Sequence, residues 1–260
     1  MAFPPERIVC LTEETVETLY LLGQSDRIVG VTGYAVRPAR VRREKPRVGA
    51  FTSADVPKIL ELQPDLVLTF SDLQADIAAD LIRAGIAVHG FNQRSVAGIL
   101  DMIRTLGALT GCAAEANALA DSYGARIDTI RATPRPSCPR VYFEEWDDPP
   151  ISGIRWASEL IEIAGGVDVF AHLQAEQGAR ARILDAQQVI DAAPDVIIAS
   201  WCGKKVRPER IAARPGWDTI PAVAQARIHE IKSPLILQPG PAALTDGLDA
   251  ILTALWGETP

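Results

Sequence analysis

Five short segments carry side chains that could bind a ligand, and each follows an apolar run typical of a buried parallel strand. Ligands of open parallel sheets bind outside the carboxyl ends of the strands, so these positions predict a binding site. The segments are Thr12–Glu13, Tyr34, Phe70–Asp72, Glu144–Asp148 and Ser200–Gly203. Aromatic residues are only 6% of the chain, yet the segments contain four, which suits a large, partly apolar ligand: Tyr34, Phe70, Trp146 and Trp201.

Other interpretations of these residues remain open. Phe70 could cap its strand against the core, and residues 144–148 could form a solvated acidic loop. Cys202 could act as a nucleophile, but the chain has only 3 His and none lies near it in sequence. No cluster of His predicts a metal site, and no glycine-rich phosphate loop follows a strand. We therefore expect ligand binding rather than catalysis, with no intrinsic cofactor and no metal.

The elements that must position these side chains contain a repeated pattern. Residues 58–70 and 188–200 each comprise a short amphipathic helix, the dipeptide Pro-Asp and an apolar run. A helix that leads into a fully apolar strand is half of a parallel αβ unit. Residues 7–11 and 140–144 repeat a first strand in the same way. The pattern predicts two similar α/β lobes with a cleft.

A long helix is predicted between the two lobes, over residues 112–132, before the proline-rich stretch 133–139. The expected organisation is an N-terminal lobe over 1–110, a helix over 111–133 and a C-terminal lobe over 134–260. At about 1.5 Å per residue the helix would span roughly the width of a domain.

Bulk properties exclude several classes of protein. The net charge of −7 argues against general nucleic-acid binding, although residues 37–47 are locally basic and most simply form a solvated loop. No apolar run is long enough to span a bilayer. As written the chain has no signal peptide, which predicts a cytoplasmic protein, or a periplasmic one if its native start was trimmed.

The pattern resembles the class III substrate-binding proteins of ABC importers, which bind vitamin B12, siderophores or haem. The resemblance covers nearly the whole chain. It rests on the segments 7–11, 48–51, 62–67, 85–88, 159–166 and 216–223, and on the long helix. It implies two Rossmann-like lobes bridged by a single long helix, with the ligand in the cleft between the lobes.

The segment Glu145-Trp146-Asp147, followed by Ser152-Gly153, is most similar to the cobalamin-binding branch. The resemblance implies cobalamin or a related corrinoid as ligand, gripped by aromatic rings at Tyr34, Phe51, Phe70 and Trp201. We expect hydrogen bonds from the hydroxyls of Thr12, Thr52, Ser71 and Ser200. Asp72 and Glu145 are expected to accept hydrogen bonds from corrin amides. Four further candidate contacts are Glu13, Trp146, Cys202 and Gly203.

Transport members of this family dock onto a permease through one glutamate on each lobe. The matching positions here are Pro57 and Gln187, so both acids are absent. This difference favours storage, delivery or sensing of the ligand over import. The alternatives are a binding protein for a ferric siderophore or haem, and an enzyme that uses the same cleft.

Overall fold

The structure, a computed structural model, describes residues 3–257, and the chain divides into two compact units. The first unit contains the residues up to Gln93 together with Ala97–Ser122. The second unit contains Arg94–Val96 together with the chain from Tyr123 onward. Each unit has its own largely parallel sheet and its own helices. The predicted α/β class with two Rossmann-like lobes is therefore confirmed.

The first unit is built on four parallel strands. These are β1 (Ile8–Cys10), β2 (Ile28–Val31), β3 (Leu66–Phe70) and β4 (Val88–Phe91). Their order in the sheet is β2-β1-β3-β4. The helices of this part of the chain are α1 (Glu13–Leu21), α2 (Val41–Glu44), α3 (Val56–Glu61), α4 (Ala75–Arg83), α5 (Val96–Thr110) and α6 (Ala113–Ala132). Every residue of β1 and β3 is buried, which explains their continuous apolar sequences.

The second unit is built around a long central strand. Its strands are β5 (Arg140–Asp147), β6 (Pro150–Ser152), β7 (Val167–Asp168), β8 (Val196–Ala199) and β9 (Ile228–Glu230). The order is β6-β5-β8-β9, with β7 also paired to β5. Strand β6 is antiparallel to β5, and the other pairings are parallel. The helices after α6 are α7 (Arg155–Ile163), α8 (Ala186–Ala192), α9 (Pro208–Ala212), α10 (Pro221–Ala224), α11 (Ser233–Ile236) and α12 (Leu248–Trp256).

The aspartate of the repeated Pro-Asp pattern accepts an equivalent backbone hydrogen bond in both units. In the first unit, the carboxylate of Asp65 accepts a hydrogen bond from the backbone N–H of Arg7 at 3.0 Å. In the second unit, Asp195 accepts one from the backbone N–H of Arg140 at 2.8 Å. Each arginine side chain also donates to a carbonyl at the end of the helix before the Pro-Asp pair. The repeat therefore fixes the start of β1 against β3, and of β5 against β8.

The helices in the two copies of the pattern begin alike. Asp55 caps α3 by accepting a hydrogen bond from a backbone N–H at 3.1 Å. Asp185 caps α8 in the same way at 2.8 Å, within a capping box. The residue before each proline has a positive φ, 47° at Gln63 and 43° at Ala193. The duplication thus extends to caps and backbone conformation.

Most predicted elements are present with small shifts at their ends. The helix predicted over 112–132 is α6, which is continuous across the boundary between the units. The last helix, α12, is preceded by a π-helical turn over Ala243–Gly247. Within residues 3–257, no helix combines the length and apolar character needed to cross a bilayer.

Candidate ligand-binding site

The carboxyl edge of the first sheet carries exposed apolar side chains. Tyr34 follows β2 and is 50% exposed, and Leu73 follows β3 and is 59% exposed. Phe51 is partly exposed and Thr52 is exposed. Exposed apolar groups at this edge suit a partly apolar ligand. Tyr34, Phe51 and Thr52 were predicted from the sequence, whereas Leu73 was not, although its position just after a strand end was the available signal.

The side chain of Gln74 connects the loops at this edge through hydrogen bonds. Its buried side-chain amide donates hydrogen bonds to the carbonyls of Leu11 at 3.1 Å and Phe51 at 2.8 Å. Its side-chain oxygen accepts a hydrogen bond from the N–H of Phe70 at 3.0 Å. One residue thus joins the ends of β1 and β3 to the loop that carries Phe51. No sequence pattern marks a single glutamine as such a joint.

Ser71 and Asp72 form a tight turn after β3. Ser71 has a φ of 62°, and its hydroxyl accepts a hydrogen bond from the N–H of Leu73 at 3.3 Å. Its side chain is partly exposed, and Asp72 is exposed. Both remain candidate ligand contacts.

The structure differs from expectation at Thr12 and Phe70. Thr12 is completely buried, and its hydroxyl donates to the carboxylate of Glu14 at 2.6 Å. Phe70 is only 5% exposed, so the alternative of a strand-capping ring describes it better than a ligand contact. Both side chains are held by the unit's own packing, and neither presents a free surface.

Two adjacent acids begin α1 close to Thr12. Burial raises the pKa of Glu14 to about 8, with a smaller opposing effect from the Thr12 hydrogen bond. Burial also raises the pKa of Glu13, to about 7. Glu14 is therefore mainly protonated at neutral pH. Glu13 is less buried and stays a candidate ligand contact.

The second sheet ends in a buried ion pair. Arg214 donates to the two carboxylate oxygens of Glu144 at 2.5 and 3.0 Å, and Glu144 is fully buried. The indole N–H of Trp201 donates to the same carboxylate at 3.0 Å, and the hydroxyl of Tyr142 donates at 3.2 Å. Burial raises the pKa of Glu144, and these hydrogen bonds oppose the rise. Arg214 was not predicted from the sequence, because it is remote in sequence from Glu144.

Two further candidates are buried by this arrangement. Trp201 is 1% exposed and belongs to the core of the second unit, so its ring face is not open as predicted. Ser200 is completely buried, and within the described residues its hydroxyl has no hydrogen-bond partner. Cys202 and Gly203 are exposed in the turn that follows.

Trp146 is partly exposed and lies beneath a cation. The ammonium of Lys204 lies 3.9 Å from the centre of the Trp146 ring and 5.6 Å from that of Trp201. It also pairs with Asp147 at 2.5 Å. Lys204 is therefore the group that a ligand stacking on this ring face would meet.

Glu145 is held by a buried arginine. Arg182, which is 1% exposed, donates to the Glu145 carboxylate at 2.7 Å and also to the carbonyl of Ser152. The Glu145 side chain remains 20% exposed. The predicted carboxylate is thus fixed in place while an oxygen can still meet a ligand.

A cavity of about 340 Å³ lies within the second unit at the carboxyl ends of β5 and β8. The indole N–H of Trp217 is buried and has no hydrogen-bond partner in the described part of the chain. Two indoles, two carboxylates and two guanidinium groups line the cavity: Trp201, Trp217, Asp147, Asp148, Arg210 and Arg214. Adding the ion-pair partners Glu144 and Lys204 leaves the formal charges balanced. The cavity therefore offers donors and acceptors without a net charge.

The basic stretch 37–47 divides into paired and unpaired arginines. Arg37 pairs with Glu17 at 2.8 Å, and Arg40 lies over the ring of Tyr20 at 4.9 Å. Across residues 3–257, by contrast, the side chains of Arg42, Arg43 and Arg47 have no hydrogen-bond or ion-pair partner, and all three residues are exposed.

Metal-binding side chains are not grouped in the described part of the chain. No three His, Cys, Asp or Glu residues there lie close enough to hold an ion. His89 and His229 are partly buried, and burial lowers the pKa of each.

Comparison with known proteins identifies the class. The family model described as periplasmic binding protein matches residues 8–235, so the chain belongs to this family. Its members are ligand carriers, which confirms the expectation of a non-enzymatic protein, and the predicted resemblance to substrate-binding proteins is confirmed as well.

Individual relatives differ in their named ligands. The uncharacterized ABC transporter substrate-binding lipoprotein YvrC of Bacillus subtilis is 26% identical over 98% of this chain and 81% of its own. A cobalamin-binding protein of Halobacterium salinarum is 30% identical over 75% of this chain and 53% of its own. The solved periplasmic heme-binding protein RhuT from Roseiflexus has a TM-score of 0.81 and 26% identity, covering 96% of this chain and 98% of its own.

Proposed function

We propose that this substrate-binding protein binds cobalamin or a related corrinoid, and that each unit carries candidate contacts at the carboxyl edge of its own sheet. The observation that carries the proposal is the charge-balanced cavity at the carboxyl ends of β5 and β8, where Asp148 and Arg210 are exposed. A corrin ring bears many neutral amide side chains, which need both donors and acceptors. Haem bears two carboxylates, which would favour an excess of positive charge instead.

The first unit supports the same proposal from its own edge. Tyr34 and Leu73 expose apolar surface, while Thr52 and Asp72 offer polar groups beside it. Sites for large ligands combine apolar walls with a few placed polar groups.

The second candidate is haem, and one observation favours it. The hydroxyl of Tyr34 has no hydrogen-bond partner within residues 3–257, and its side chain is half exposed. A tyrosinate can serve as an axial ligand of ferric haem. The affinity for haem would then depend on the hydroxyl oxygen of Tyr34, whereas the affinity for a corrinoid would depend on the aromatic ring of Tyr34.

A pair of titrations separates the two ligands. Cyanocobalamin and hydroxocobalamin, each added to the purified protein, should bind at micromolar concentration or below, and hemin should bind more weakly. Tyr34→Phe should keep corrinoid affinity, and Tyr34→Ala should reduce it about tenfold, a loss of about 1.4 kcal/mol. Leu21→Ala, at an equally exposed position on α1, is the matched control. No corrinoid binding at micromolar concentration would refute the proposal.

We propose further that the acidic docking pair is not used here. Pro57 and Gln187 are both exposed, and the side chain of Gln187 donates to Asp191 at 2.7 Å. Neither can pair with a permease arginine as a glutamate would. A corrinoid permease complex should therefore not retain the loaded protein at micromolar concentration. A stable complex would contradict this part of the proposal.

The compartment of the protein is a separate proposal. The names of YvrC and RhuT describe a lipoprotein and a periplasmic protein, which supports the periplasmic alternative for this chain. Cell fractionation of the native host, with the protein detected by antibody, would test it. Recovery in the cytoplasmic fraction would restore the cytoplasmic expectation.

A further inference from the structure

Arg47 lies beside the strand end that precedes Tyr34. Its backbone forms a parallel bridge with Val31, the last residue of β2. Its side chain continues past the end of that strand, since a methyl group built at Gly33 would lie 3.9 Å from the Cδ of Arg47. The guanidinium is therefore carried along the carboxyl edge of the first sheet.

The charge of Arg47 is available to a ligand. Within the described residues it has neither a hydrogen bond nor an ion pair, and its side chain is exposed. Arg37, in the same basic stretch, is by contrast paired with Glu17. An unpaired guanidinium presents a planar set of donors that matches a phosphate oxygen pair.

We infer that Arg47 determines specificity by binding the phosphodiester of the nucleotide loop that complete corrinoids carry. The inference rests on the proposed function and deepens it. The rest of a corrinoid periphery is neutral amide, which suits the balanced charges of the cavity in the second unit. One phosphodiester adds a single negative charge, which the unpaired guanidinium of Arg47 at this strand end would complement.

The experiment compares two corrinoids that differ in this group. Cyanocobalamin contains the nucleotide loop with its phosphodiester, and dicyanocobinamide lacks both. Arg47→Gln should weaken cyanocobalamin binding about tenfold, or about 1.4 kcal/mol, and leave dicyanocobinamide binding within about twofold. Arg43→Gln removes an equally exposed and unpaired charge from α2, and it should change neither affinity.

The outcomes separate this inference from the proposed function. Equal effects of Arg47→Gln on both corrinoids, or no effect on either, would overturn the role of Arg47 and leave corrinoid binding intact. If Arg43→Gln weakened cyanocobalamin binding as much as Arg47→Gln, the loss of affinity would reflect the general positive charge of this stretch. That result would also overturn the role of Arg47. Failure of the unaltered protein to bind either corrinoid would overturn the proposed function and this inference together.

Discussion

Arg214 holds the fully buried carboxylate of Glu144 through two hydrogen bonds, across 70 residues of sequence. The guanidinium also donates to the carbonyl of Asp147 at 3.1 Å and lies over the ring of Trp217 at 4.4 Å. This pair joins the segment after α9 to β5, and its arginine lines the cavity. Its two members should therefore be strongly coupled in stability.

Removing Arg214 should be far more costly than removing an exposed arginine. Arg214→Met leaves a buried carboxylate without its cation, and we expect a loss of about 3–5 kcal/mol in the free energy of unfolding. Glu144→Gln in the same chain should recover part of that loss. Arg131→Met, which breaks an exposed pair with Asp128, should cost less than about 1 kcal/mol. Urea unfolding measures all four proteins, and equal losses for the two arginines would contradict the coupling.

Stability should fall as pH rises through the neutral range. The carboxyl of Glu14 has an ordinary pKa of 4.5 and a folded-state pKa of about 8, because it is buried. The folded protein therefore binds more protons than the unfolded chain between these values, and the free energy of unfolding decreases as the proton is lost. Glu13 acts in the same direction.

Glu14→Gln should flatten this pH dependence. The neutral amide needs no proton, so the variant should exceed the unaltered protein in stability by about 2 kcal/mol or more at about pH 9. Urea unfolding from about pH 5 to about pH 9 would measure the slope. Glu61→Gln, at an exposed position in α3, should leave the slope unchanged. A slope unaffected by Glu14→Gln would show that another group controls it.

Lys204 should compete with a ligand for the face of Trp146. Lys204→Met keeps the length of the side chain but removes the cation, whose contact with the ring is worth about 0.5–1 kcal/mol at an exposed site. We expect cyanocobalamin to bind about two- to fivefold more tightly, as measured by calorimetry. Lys205→Met alters the exposed neighbouring lysine and is the control. Weaker binding by Lys204→Met alone would mean that the ammonium contacts the ligand.

Gly49 should be essential to the loop that carries Phe51 and Thr52. A Cβ at this position would lie 2.3 Å from the carbonyl oxygen of Ser53, so the loop would have to move. We expect Gly49→Ala to lower the free energy of unfolding by about 1–3 kcal/mol. Gly124→Ala, in α6 with no atom within 4 Å of the added group, should raise it by about 0.5–1 kcal/mol. Thermal unfolding compares the two, and equal effects would contradict the clash.

The repeated Pro-Asp pattern was readable from the sequence because every interaction it makes is local or repeats in the same register. Apolar strands and short helices follow from residue types at fixed spacing, whereas the hydrogen bonds of Asp65 and Asp195 to Arg7 and Arg140 are seen only in the structure. The two α/β units and the positions of the strand ends were therefore predictable. The long helix α6 was also predictable, and the proline-rich stretch 133–139 marks where it ends.

Only the tertiary structure decides which side chains at those strand ends remain exposed. Trp201 turns into the core because Glu144 accepts its N–H, and Glu144 is held in turn by an arginine from a distant segment. Tyr34 stays half exposed because no such partner reaches it within the described residues. The direction that a side chain takes beyond the end of a strand depends on contacts between remote segments. The spacing of residues in the sequence does not reveal those contacts.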